Sequence, residues 1–516
     1  MSKHKVDVVF ISPSNAEGTY QKLSETYSAI EPPTWALLLA QSVRAAGFSP
    51  KIIDTLAEKI SDEQVYSRIA EWNPELVCFV VYGQNVNSGT TNMSGTIRTA
   101  TALKRSDPNL LISIIGSYVQ AVPLKVLNEE TSIDFVFTNE GVYALRNILS
   151  KIPIDRNDLG SVKGIAWRKE GTPIMNAAES IVPSARMDVD LPGYAWDLLP
   201  YEENPLDLYR SPLWHAEYDD ARRSPYAAIQ TSLGCNFGCS FCMINTINRN
   251  DEKEIGISSD YSGMRFWSPD FILNQIDILT NLGVRTIRIV DEMFLLYRKH
   301  YLPLCEMLAQ RKYASELRMW AYSRIDTVTN PEFLAIVRRA GIRWLALGIE
   351  SASKQIRLEV SKGKFEDVDI KKVIQQIHNS GIEVMANYIV GLPGDTPATM
   401  SETLDLSLEL CTSGWNMYPA MALPGSQLYK KALDEGRELP TSYEGFSFHS
   451  YETVPFTSGS LSGADVLKFR DKAFETYHSS PQFLRRIQEK YGSHAVKTIN
   501  QMTKVKLRRK LIDHTK

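Results

Sequence analysis

The chain has 516 residues, 43% of them apolar and 23% charged, with a formal net charge of −3. At ~100–200 residues per domain this length excludes a single small core. The near-neutral balance argues against a polyanionic partner such as nucleic acid, and no stretch reaches the ~20 apolar residues of a membrane span.

The opening residues, MSKHKVDVVFISPSN, hold an apolar run too short for a secretory leader. They read as a first strand, 6–12, ended by Pro13. Residues 1–150 then alternate helix and strand. Helical spacing is found at 33–48, 63–72, 94–106 and 123–130; apolar strands are expected at 51–55, 75–82, 110–117 and 134–141. Strands apolar throughout and separated by helices imply a parallel sheet covered on both faces. Such a doubly wound domain takes ligands beyond the C-terminal ends of its strands. Residues 151–224 contain a hairpin, 164–175, turning at Glu170-Gly171, and then an ordered linker punctuated by Pro183, Pro192, Pro200, Pro205 and Pro212. From 225 a second alternation begins. Strands are expected at 226–232, 284–290, 317–323, 342–349, 382–390 and 415–421. Six such units over 225–435 imply a full or partial (β/α) barrel with its working residues at the C-terminal strand ends. Residues 436–516 read as mostly helical.

Three of the six cysteines stand in TSLGCNFGCSFCM, residues 231–243, as Cys235, Cys239 and Cys242. Six in so long a chain make no disulfide framework and suggest a reducing cytosol. Cys78, Cys305 and Cys411 sit among apolar neighbours and read as core. Structural zinc closes four ligands, and no second Cys/His pair follows; His300 and His378 are isolated. A 4Fe-4S cluster accounts for the count, because three thiolates leave one iron open to a small molecule. Gly234 and Gly238 would let the backbone curl around it, and the ring of Phe241 would shield it.

This motif after the first barrel strand resembles the radical S-adenosylmethionine superfamily. The resemblance implies that the open iron takes the amino and carboxylate groups of S-adenosyl-L-methionine, which an electron then cleaves to a 5′-deoxyadenosyl radical. It also implies roles at the strand ends. Asp291 or Glu292, in VDEMF, would meet the methionine ammonium. Arg324, in YSRID, would meet its carboxylate. Glu350 and Ser351, in LGIES, would contact ribose and methionine. Gly391 and Pro393, in IVGLPGDT, would let the backbone approach the adenosine.

A doubly wound domain before such a barrel resembles the cobalamin-binding domain of the class that pairs cobalamin with this radical chemistry. The resemblance rests on SPSN at 12–15, EPPTWALLLAQSVRAAGFSPKIIDT at 31–55, IIGSYVQAVPLKVL at 114–127 and FTNEG at 137–141. It points to Ser12, Gly116, Ser117, Glu140 and Gly141 as cofactor contacts. The chain departs from the pattern in having Gly116-Ser117 for two glycines and no histidine between His4 and His215. Imidazole ligation of cobalt from this domain is thereby excluded; the lower face would be open, watered or covered by the loop YGQNVNSGT, 82–90, with Tyr82, Gln84 and Asn85 as its candidates. A domain that only scaffolds the barrel is the alternative.

The fold class implied is α/β: a Rossmann-like cobalamin-binding domain, a partial (β/α)6 radical barrel and a helical C-terminal region. The activity implied is a cytoplasmic, cobalamin-dependent C-methyltransferase of a small-molecule substrate, reduced by a donor such as flavodoxin or ferredoxin. Its substrate would lie near residues 416–421, Trp196 and Tyr201. A dehydratase, epimerase, cyclase or ring-contracting enzyme is the alternative, and a non-catalytic sensor is the third reading.

Overall fold

The computed structural model describes residues 6–82, 86–328, 330–360, 368–457, 459 and 461–513. Its first sheet is built on β1 (Val8–Ser12), β2 (Pro50–Asp54), β3 (Leu76–Val81), β4 (Ile112–Gly116) and β5 (Phe135–Phe137). These five strands are parallel in the order β2-β1-β3-β4-β5. β3, LVCFVV, and β4, ISIIG, are buried along their whole lengths, as strands covered on both faces must be. The expected hairpin forms as β6 (Ile165–Lys169) and β7 (Thr172–Met175). Rather than standing apart with the linker, it adds to the edge of this sheet, β6 pairing antiparallel with β5. Trp167 and Ile165 are apolar enough to extend the buried face.

The second sheet contains β8 (Tyr226–Ile229), β11 (Thr286–Ile289), β12 (Arg318–Arg324), β13 (Ile342–Glu350), β14 (Glu383–Val390) and β15 (Gly414–Pro419), all parallel and in chain order. The chain leaves β8 three residues earlier than expected. The phenol of Tyr194 accepts from the Gln230 amide (2.7 Å), and the Asp291 carboxylate captures the Thr231 amide (2.6 Å). Residues Ser232–Cys235 then form β9, which pairs antiparallel with β10 (Gly263–Phe266) in a separate ribbon. Cys235 therefore sits at the end of a strand, which holds it against the barrel mouth.

Buried ion pairs join the segments around the first sheet to the second half of the chain. Glu31, from the segment ahead of the helix Thr34–Ala45, reaches Arg288 of β11 (2.5 Å) and accepts from the Tyr226 hydroxyl (3.2 Å). The Arg288 guanidinium lies over Trp320 (4.7 Å) and Tyr322 (5.3 Å). Glu140 pairs with Arg265 of β10 (2.7 Å). The C-terminal helices Gly463–His478, Pro481–Tyr491 and Ser493–Met502 follow, and the first of them packs on β15. Among the described residues no helix is long and apolar enough to cross a membrane.

Candidate active site

The three cysteines of the 231–243 motif form no disulfide and line one cavity. Gly234 has φ +82°, and a Cβ there would strike the Gly263 carbonyl, so β9 requires glycine at that point. Gly238 is different: its backbone is not left-handed and a Cβ would meet only Ser259 at 3.5 Å. The curl is thus carried by Gly234 alone. The Cys235 amide donates to Asn245 Oδ1 (2.7 Å), and the Phe237 amide donates to Cys235 Sγ (3.4 Å). Burial pushes the Cys235 thiol up to about 12 and Cys242 well above the ordinary range. These thiols stay protonated until a metal displaces the proton. Among the described residues no three His, Cys, Asp or Glu converge tightly enough for a single ion. Three thiols lining one cavity would suit an iron–sulfur cluster, which Cys thiolates hold.

The cavity encloses about 1280 Å³ counting its open mouth. Glu292, Arg324 and Glu350 stand on its wall with the cysteines. Of the two adjacent acids, only Glu292 faces it. Asp291 turns the other way and accepts from the Thr231 amide, the Thr231 hydroxyl (2.5 Å) and the Ser232 hydroxyl (2.6 Å). Asp291 therefore orients the base of the cysteine segment. Burial raises the Glu292 carboxyl to about 7, with Arg288 opposing, and Glu350 likewise to about 7, with Arg324 opposing. Glu350 is held at φ +65°, where β13 slips register against β14. Arg324 forks onto Asp326 (2.6 and 2.5 Å) and lies 3.7 Å over the Phe237 ring.

Other strand-end residues stand behind this wall. Ser351 is fully buried and accepts from the Ser353 amide (3.2 Å), shaping the entrance to the helix Lys354–Val360. Gly391, at φ +79°, and Pro393 form a turn whose Gly391 Cα faces Val466 of the C-terminal helix Gly463–His478. None of the three lines the cavity. The substrate expectation divides similarly. Tyr418, Pro419, Ala420 and Met421 do line it. Trp196, by contrast, is buried and stacked on Tyr194 (4.9 Å), and Tyr201 is 59% exposed. Neither linker aromatic lines the cavity; proline-rich sequence conceals which way such side chains turn.

A second cavity of about 850 Å³ opens beyond β1, β2 and β3, where a doubly wound sheet takes ligands. Ser12 and Tyr82 line it. Tyr82 accepts from Gln120, which also donates to the Asn139 carbonyl (2.6 Å). Gln84 and Asn85 lie outside the described residues. Gly116 ends β4 so close to the Val81 carbonyl that a Cβ would collide with it, and Ser117 crowds Gly89 in the same way. Glu140 and Gly141 are elsewhere. The Glu140 carboxylate is held by Arg265 and the Val182 amide (2.5 Å). Gly141, at φ +80°, starts the helix Val142–Leu149 against Ile115. Both join elements together and neither lines the cavity.

The loop 82–90 was legible as a candidate cover for the first domain's ligand, but Asn87 and Ser88 were not singled out within it. Ser88 lines both cavities and so stands between them. Asn87 reaches the cysteine motif across the domain boundary. Asn245, Asn387 and Phe448 were passed over as well, the last two on the cavity wall. Isolated polar and aromatic residues carry no spacing signal.

Comparison with known proteins agrees with this architecture. Residues 229–407 match the radical SAM superfamily, and residues 21–149 match the B12 binding domain. An anaerobic magnesium-protoporphyrin IX monomethyl ester cyclase from Rubrivivax gelatinosus is 25% identical over 461 residues, 87% of this chain and 72% of that protein. A hopanoid C-2 methylase from Rhodopseudomonas palustris is 26% identical over 239 residues, 46% of this chain and 43% of its own. The radical S-adenosylmethionine methyltransferase TsrM from Kitasatospora setae, solved with tryptophan and an S-adenosylmethionine analogue, shares the fold. Its TM-score is 0.66 at 15% identity, covering 96% of this chain and 98% of that one.

Proposed function

The chain belongs to the radical S-adenosylmethionine enzymes that carry a B12-binding domain, and we propose that it transfers a methyl group to an unactivated carbon of a small molecule. The carrying observation is that one residue, Ser88, lines both the sheet-domain cavity and the cysteine cavity. A cobalamin held by the first domain would then lie close to whatever is bound at the cluster. When bound, the cluster supplies the electron that cleaves S-adenosylmethionine, and cobalamin carries the methyl group.

The chain's own residues bind, orient and exclude water. Cys235, Cys239 and Cys242 would hold three irons. Glu292 is placed to accept from the methionine ammonium, and Arg324 offers its guanidinium to the carboxylate. Glu350, on the same wall, would contact the nucleoside. Asp291, Ser351, Gly391 and Pro393 set the backbone behind it. Ser12 and Tyr82 would border cobalamin, with Gly116 and Ser117 shaping the strand ends beside it. Tyr418, Met421 and Phe448 close the cavity with apolar surface, which keeps water from a reactive carbon centre. The electron donor belongs to the flavodoxin or ferredoxin class, consistent with a reducing cytosol.

The test is anaerobic reconstitution with iron, sulfide and hydroxocobalamin, then reaction with S-adenosylmethionine and a chemical reductant. Retained cobalamin, S-adenosylhomocysteine and 5′-deoxyadenosine are expected. Cys235→Ala should abolish 5′-deoxyadenosine; unchanged yield would sink the cluster assignment. A second reading, a cyclase, is favoured by the long match to the Rubrivivax protein. It forms no S-adenosylhomocysteine, so that product separates the two.

A further inference from the structure

Asn87 lies in the short 3-10 helix Val86–Asn92, which belongs to the first domain. Its side chain nevertheless touches the cysteine motif twice. Oδ1 accepts from the Met243 amide (3.0 Å), and Nδ2 donates to Cys242 Sγ (3.7 Å). The Met243 amide fixes Oδ1 as the accepting end of the carboxamide, which leaves the Nδ2 end towards the sulfur. Asn87 lines the cysteine cavity, and the next residue, Ser88, lines both cavities.

We propose that Asn87 is a positioning residue through which the first domain sets the reduction potential of the cluster; the inference rests on the cluster reading above. Cluster potentials depend on hydrogen bonds to the sulfurs. Reduction adds one electron, from an external donor, and breaks no bond. The added negative charge falls partly on the thiolate sulfurs, where an N–H donor stabilises it. Removing the donor therefore disfavours the reduced cluster and lowers its potential.

The experiment compares wild type, Asn87→Ala and Asn87→Asp, each reconstituted anaerobically with iron and sulfide. Iron and sulfide are counted, the midpoint potential is read by redox titration followed by electron paramagnetic resonance, and pulsed resonance in D₂O detects exchangeable deuterons near the cluster. The Asn87→Asp variant keeps the acceptor for the Met243 amide and loses the donor to sulfur, so the loop stays anchored even if the alanine variant assembles poorly; it also adds a negative charge that lowers the potential by itself, so in this variant the deuteron coupling reads the lost bond. Expected are equal iron contents in wild type and Asn87→Asp, lower potentials in the variants, and loss of one exchangeable deuteron coupling. A wild-type potential in Asn87→Asp, or an unchanged deuteron coupling, would overturn the proposal and leave Asn87 as a loop anchor only. A wild-type chain that assembles no four-iron cluster would overturn both this inference and the reading beneath it.

Discussion

Asp291 and Glu292 are neighbours with opposite duties, and substitution should separate them. Glu292→Gln removes a charged acceptor from the cavity wall. A charge-assisted hydrogen bond is worth about 1.5–3 kcal/mol, so S-adenosylmethionine affinity should fall about 10- to 100-fold with the thermal midpoint little changed. Asp291→Asn instead weakens the bonds from Thr231 and Ser232. It should lower stability by about 1–3 kcal/mol, read by denaturant unfolding, with the smaller effect on binding. If the affinity losses reverse, Asp291 is the ammonium partner. Asp54 gives a pH test. Burial raises its carboxyl from 3.8 to about 6, against bonds from Ala57, Tyr209 and Leu56. A raised folded pKa means that the native state binds the proton more tightly. The contribution is therefore fully present below about pH 4 and lost as pH rises through about 6. Asp54→Asn should flatten that part of the stability profile relative to wild type, by about 3 kcal/mol across the window.

At the scale of elements, β3 and β4 run so close at their C-terminal ends that Val81 and Gly116 leave no room for a side chain. Gly116→Ala should force the strand ends apart beside the sheet-domain cavity. A cost of about 1–3 kcal/mol is expected from overpacking, together with reduced cobalamin retention after desalting, measured by absorbance. Full retention would place the cofactor away from these strand ends. The glycine was visible in the sequence as one half of a double-glycine turn. The Val81 carbonyl that explains it was not, because it belongs to a strand 35 residues earlier.

For the molecule as a whole, the joint between domains is the structural feature with the largest expected effect. Glu31 and Arg288 are both nearly inaccessible, and they come from different sheets' neighbourhoods. Removing one partner of such a pair strands the other charge, at about 3–5 kcal/mol. Glu31→Gln should therefore destabilise the fold on this scale and loosen the approach of the two cavities, seen as a lower urea midpoint. A loss below about 1 kcal/mol, the range of a solvated pair, would mean that water reaches Arg288 at the joint.

The alternation of apolar strand and helix, the cysteine spacing and the turn glycines were all legible in the chain, because each is a local pattern with its own period. They determined two α/β sheets, a three-thiolate motif at a barrel mouth, and a cavity rim after β1. Only the tertiary structure decided which of two adjacent acids faces the cavity. It also withdrew Glu140 into an ion pair with Arg265, turned Trp196 inward and Tyr201 out to solvent, and carried Asn87 to Cys242, 155 positions further along the chain. The physical reason is common to these cases. A side chain's direction at a strand end is set by what its neighbours offer to bond, and those neighbours are distant in sequence.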